Sequence, residues 1–196
     1  KLKSYLDILS SNPPDTEKWG SDERLAYWIN AYNAFTIHLI LKNYPVESIN
    51  DIGPWLSIPF INSVFDEKFI QIGEKKLSLN NIEHGIIRDR FNEPRIHFVL
   101  VCAARSCPEL RDEAYIAERL EQQLQDQAEK FINDPSKNQI SRDQLSLSKI
   151  FKWYKGDFTG EGSLIDYISQ FTDKEISPDA DIDYMDYDWS LNEARE

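Results

Sequence analysis

Cysteine is scarce in this chain: Cys102 and Cys107 are the only two in 196 residues. Two thiols cannot frame a disulfide-stapled scaffold or a Cys-based zinc site. Histidine is nearly as rare. His38, His84 and His97 include no His-x-x-x-His pair, so neither a metal nor a cofactor is expected. The seven glycines are too scattered to build a phosphate-cradling loop. Bases are outnumbered 22 to 34, a net charge of −12. Phosphate neutralisation needs the opposite balance, so no nucleic-acid partner is expected. Asn30, Asn33, Thr36 and His38 interrupt the most apolar stretch, and no run reaches the ~20 residues of a membrane span. The chain opens at Lys1 rather than Met. An extracytoplasmic location is expected if a signal peptide precedes it.

Aromatic residues, in contrast, reach 12%, an apolar payload that sets the chain apart from disordered sequences. The length suits one domain over 1–196. The acidic excess is concentrated at the end, where 173–196 carries a net charge of −7. Residues 1–19 read as an N-terminal helical arm broken at Pro13-Pro14. A helix from Ser21 or Asp22 to about Leu41 is apolar almost all round, the mark of a buried central helix. Gly73-Glu74-Lys75 between two short alternating runs predicts a hairpin. Asn80 with Glu83 three residues on predicts a capped helix to about Arg90. Arg95–Cys102 is almost continuously apolar and β-branched, which predicts a central strand covered on both faces. Helices follow over about 112–133, 147–154 and 163–171. The alternation of Asp183, Met185, Tyr187 and Trp189 predicts a last strand in the acidic extension. The expected class is α+β, with the long buried helix on a small mixed sheet and several further helices around it.

The ordered motifs Tyr27–Ala34, Asn81–Gly85, Arg95–Ala103, Ser106-Cys107-Pro108 and Tyr187–Asn192 resemble those of the family called domain of unknown function 547. The resemblance spans about residues 20–192. It implies occasional fusion to glutaredoxin-like or leucine-zipper regions. It brings no activity with it, so function is argued from the residues. The family often has two prolines after the motif Cys, whereas Glu109 follows Pro108 here.

Cys107 sits in a loop between the expected strand and a helix, where open sheets place reactive groups. It is the expected nucleophile, partly exposed and acidified, unless it is merely packed beneath Pro108. Cys102 is expected in the core. A Cys102–Cys107 disulfide requires the chain to bend back on itself. His84 is the candidate general base and Glu83 its orienting carboxylate, although capping would also account for Glu83. Arg105 and Ser106, beside Cys107, are candidate binding residues. Asn30 and Asn33 share one helix face and either hold an irregular loop such as 103–108 or orient a catalytic His. His97 reads as a buried, hydrogen-bonded neutral ring.

Three functions follow. The first is a thiol-dependent hydrolase or acyltransferase using a Cys-His pair, with the loop amides as an oxyanion cradle. The second is a non-catalytic module that binds a peptide or small-molecule ligand through Trp55–Phe65 and the tail aromatics. The third is thiol-redox chemistry, against which the Cys-x-x-x-x-Cys spacing speaks.

Overall fold

The computed structural model describes residues 1–53, 63–160 and 162–193. The class is α+β. Helix α1 (Leu2–Ser11) lies on α2 (Ser21–Asn43), which buries residues around most of its circumference, from Leu25 to Ile40. At the start of α2, the Gly20 amide donates to the Glu23 carboxylate at 2.7 Å, satisfying one of the groups a helix end leaves unpaired.

Strands β1 (Ile70–Ile72) and β2 (Lys75–Leu77) form the expected antiparallel hairpin. Its turn places Gly73 at φ 56°, a left-handed conformation in which a Cβ would be strained, and the Gly73 amide docks the hairpin on the Ser10 carbonyl. Next comes α3 (Leu79–Ile82), a π-helical turn (Glu83–Ile87) and α4 (Arg88–Arg90). Ser78, not Asn80, caps this segment: its hydroxyl accepts from the Asn81 amide at 3.0 Å, and Asn81 returns the bond.

Arg95–Cys102 is not a strand. Pro94–Phe98 forms a 3₁₀ turn that starts where the Glu93 carboxylate accepts the Arg95 amide. The segment after it belongs to no strand and has no ladder partner. Asn33 takes that place: its amide group donates to the Val99 carbonyl at 2.8 Å and accepts the Val101 amide at 3.0 Å. The apolar run signals burial correctly, since Ile96, Phe98, Val99 and Val101 are all buried, but burial alone does not select a ladder.

Helix α5 (Leu120–Asn133) starts later than expected. Asn30 holds Tyr115 by both its carbonyl (2.8 Å) and its amide (2.9 Å), and Gln123 accepts the Ile116 amide. Beyond α5, strands β3 (Gln139–Ile140), β4 (Gln144–Leu147) and β5 (Asp181–Tyr184) make the mixed sheet, antiparallel between β3 and β4 and parallel between β4 and β5. Neither β3 nor β4 was anticipated, and β5 ends earlier than the alternation suggests. Helices α6 (Lys149–Trp153), α7 (Lys155–Phe158) and α8 (Leu164–Ser169) lie between β4 and β5 in the chain.

The core has two main parts. One surrounds α2. The other gathers α5, the mixed sheet and α6–α8 around Phe98, whose ring is fully buried and stacks on Phe131 and Phe158. No helix among the described residues is long and apolar enough to cross a membrane.

Candidate functional site

A cavity of about 220 Å³ lies where the two parts of the core meet. Both cysteines, Glu83, His84 and His97 line it, together with the aromatic residues Tyr32, Tyr154 and Tyr187. The π-helical turn supplies Glu83 and His84. Widening a helix by one residue per turn re-aims side chains, which is why such turns recur at functional sites.

The Cys loop is shaped from three sides. Asn33 and Asn30 of α2 clasp the backbone on either side of it, at 99–101 and at 115. Within it, Ala103 takes φ 60°, a left-handed conformation unusual for a residue with a Cβ, and the Cys107 amide closes onto the Ala104 carbonyl at 3.0 Å. The C-terminal segment straps it down. The Arg105 amide donates to the Ser190 carbonyl, the Ser106 amide to the Asp188 carbonyl, and the Asn192 amide to the Ala103 carbonyl. The same strap also ties down the segment after α2, where the Leu191 amide donates to the Glu47 carbonyl.

The burial of the two thiols is the reverse of that expected. Cys107 is 3% exposed, and burial pushes its thiol well above the ordinary range. Its sulfur accepts the Cys102 amide at 2.8 Å. Cys102 is half-buried, and its sulfur lies 3.2 Å from the Tyr187 hydroxyl. The Cys107 thiol, followed by the Tyr187 hydroxyl and the Ala104 amide, holds the Cys102 thiol below its ordinary value despite burial. A thiolate is favoured by the donors around it, and Cys102 has them. The strand-to-helix placement assumed for Cys107 fails because neither element is there.

Glu83 does not cap. Its carboxylate points inward and accepts the Tyr154 hydroxyl at 2.7 Å. His84 is the more exposed of the two, with Nδ1 at 3.8 Å from Glu83 and 3.2 Å from a nitrogen of Arg88. A guanidinium only donates, so Nδ1 accepts and the neutral ring carries its proton on Nε2. That tautomer presents an N–H donor at Nε2, its Nδ1 lone pair being engaged by Arg88. Arg105 and Ser106 have their amides tied to the strap, and the Ser106 hydroxyl accepts the Asp188 amide at 2.9 Å. With the Arg105, Ser106 and Cys107 amides engaged, the loop offers no three-amide oxyanion cradle. Of the two roles open to Asn30 and Asn33, both take the structural one, holding irregular backbone at 99–101 and at 115 rather than orienting a His or contacting a ligand. Phe65 is near Trp189, at 6.4 Å between ring centres, while the segment from Trp55 to Asn62 lies outside the described residues.

Sequence reasoning missed the polar wall behind the cavity. Asp157 accepts two bonds from Arg88, at 2.7 and 2.8 Å, and one from His97 Nε2 at 2.8 Å. The Arg88 bonds lower the Asp157 carboxyl to about 2. Burial lowers the His97 pKa, so the ring is neutral, with Nε2–H directed at Asp157. His97 stacks on Tyr154 at 3.8 Å, and the Arg88 guanidinium sits 5.1 Å from the same ring. Tyr154 is thereby held with its hydroxyl on Glu83. Burial, together with Glu83, raises the Tyr154 pKa, and burial raises those of Tyr32 and Tyr187. All three phenols stay protonated donors. At the rim, Trp153 is 48% exposed and packs 4.8 Å from Tyr187, which in turn lies 4.7 Å from Trp189.

Among the described residues, no group of three or more His, Cys, Asp or Glu converges as a metal would require. Comparison with curated proteins and with solved structures gives no match. A family model does match, over residues 16–132, the stretch that carries Glu83, His84, His97 and both cysteines. Its description is "Protein of unknown function, DUF547", and the chain belongs to that family.

Proposed function

We propose that the cavity is a thiol-dependent acyl-transfer site, hydrolase or acyltransferase, with Cys102 as nucleophile. The observation that carries this reading is the Cys102 sulfur at 3.2 Å from the Tyr187 hydroxyl, half-buried at a cavity that also holds a carboxylate. Glu83 takes the thiol proton as sulfur attacks the acyl carbon. The C–S bond forms while the carbonyl π pair moves onto oxygen. The Tyr32 and Tyr187 hydroxyls, with His84 Nε2–H, supply donors for that oxygen in place of the loop amides. The C–leaving group bond then breaks, and Glu83 returns its proton to the departing atom. Water or a second nucleophile, deprotonated by the same carboxylate, releases the acyl group from sulfur. The exposed Trp153 beside Tyr187 provides an apolar rim for the acyl or peptide portion of a substrate.

The reduced protein, mixed with p-nitrophenyl acetate, is expected to give a burst of nitrophenolate and an acetyl adduct mapped to Cys102. The burst should vanish in Cys102→Ala and slow in Glu83→Gln. An adduct absent from the wild type, or undiminished in Cys102→Ala, would sink the proposal.

A further inference from the structure

Cys107 is a buried nucleophilic group for which acyl transfer has no use. Its sulfur lies 2.8 Å from the Cys102 backbone nitrogen. The N–Cα bond is about 1.46 Å, so the sulfur is within about 4.3 Å of the Cys102 Cα. That is the separation at which rotation about the Cys102 side-chain bond can bring the two sulfurs together. The bend that permits this is built in: Ala103 turns left-handed, the Cys107 amide closes on Ala104, and the strap fixes both sides of the loop.

We propose that Cys102 and Cys107 form a reversible dithiol–disulfide couple that exchanges with small disulfides of the glutathione class. The Cys102 thiolate attacks one sulfur of glutathione disulfide and expels one glutathione thiolate, leaving a mixed disulfide on Cys102. Cys107 then attacks the Cys102 sulfur, its proton passing to the departing glutathione sulfur, so that the second glutathione leaves as a thiol. Two electrons pass from the protein dithiol to the oxidant, which becomes two molecules of glutathione. Reduced glutathione or another thiol reverses both steps.

The arrangement divides the labour. Cys102 is open to the cavity and has donors at its sulfur, so it meets the external disulfide. Cys107 is shielded from solvent, with its sulfur against the Cys102 amide. The resulting disulfide occupies the sulfur that the acyl-transfer reading requires, so oxidation would close that site. The couple shares Cys102 with the proposed function but needs neither an acyl substrate nor Glu83.

The experiment incubates the folded protein with glutathione disulfide and reads the intact mass, followed by peptide mapping. The wild type should become two hydrogens lighter, carry a Cys102–Cys107 link, and regain its mass with dithiothreitol. Cys107→Ser should stop one glutathione heavier, with the adduct on Cys102. A wild type that stops at the glutathione adduct, or keeps both thiols, overturns the proposal. The ester burst of the reduced protein is read in parallel. A linked pair without a burst removes only acyl transfer, and a burst without a link removes only the couple.

Discussion

Asn33 and Val101 are joined by a 3.0 Å hydrogen bond from backbone amide to side-chain oxygen, across 68 positions of sequence. With the matching bond to Val99, it replaces a sheet ladder by a single side chain. Asn33→Ala would leave a buried amide and a buried carbonyl without partners. The expected cost is about 2–4 kcal/mol, at one to two per orphaned group. Urea denaturation of the variant measures it, and a loss below about 0.5 kcal/mol would show that water or a backbone shift restores both bonds.

Phe98 anchors the other half of the core, stacked between Phe131 and Phe158 with no exposure. Phe98→Ala should cost roughly 3–5 kcal/mol through lost transfer energy and the cavity left behind. Thermal unfolding of the variant is the check. A change of only a few tenths would mean that the three phenylalanines are not a packed unit.

Acid should weaken the fold in two stages. The folded-state pKa of His97 lies below its ordinary 6.5, so the unfolded chain binds the proton more readily. Stability from that ring is present above 6.5 and is lost as pH falls below it. Asp157 is lowered from 3.8 to about 2, so its contribution persists to about pH 4 and disappears as pH falls through the folded value. Melting temperature followed from pH 8 downward should show both declines, and Asp157→Asn should remove the second. A profile that rises on acidification would contradict both assignments.

Iodoacetamide near pH 6.5 should label Cys102 well before Cys107, because donors surround the first sulfur and burial suppresses ionisation of the second. Tyr187→Phe deletes one of those donors and should slow the labelling of Cys102. Peptide mapping of a time course distinguishes the two thiols. Preferential labelling of Cys107 would reverse the assignment of nucleophile.

What could be read from the sequence was what local pattern controls. The all-round apolar stretch located α2, and a glycine between two short alternating runs located the β1–β2 hairpin. The apolar run at 96–101 gave burial but not conformation, because Asn33 satisfies from a distance what a neighbouring strand would have satisfied. Glu83 looked like a cap because Asn80 stood three residues before it, yet Ser78 holds that position and frees the carboxylate for Tyr154. Within the site, the presence of Cys, His and Glu was legible, but their roles were not. Tyr187 comes 85 positions after Cys102, and Asp157 60 after His97, separations at which no local spacing carries information. Tyr154, Asp157 and Tyr187 also lie beyond the stretch matched by the family model.

The strap at 188–192 has a consequence for how the protein is made. Ribosomes release chains from the N-terminus, and domains close as their last long-range partners emerge. The Cys loop cannot form its bonds with Asp188, Ser190 and Asn192 until that later stretch of chain has been synthesised. Until then both thiols belong to an open loop, and a nascent chain meets the surrounding oxidants and electrophiles before the 188–192 strap closes over the Cys loop.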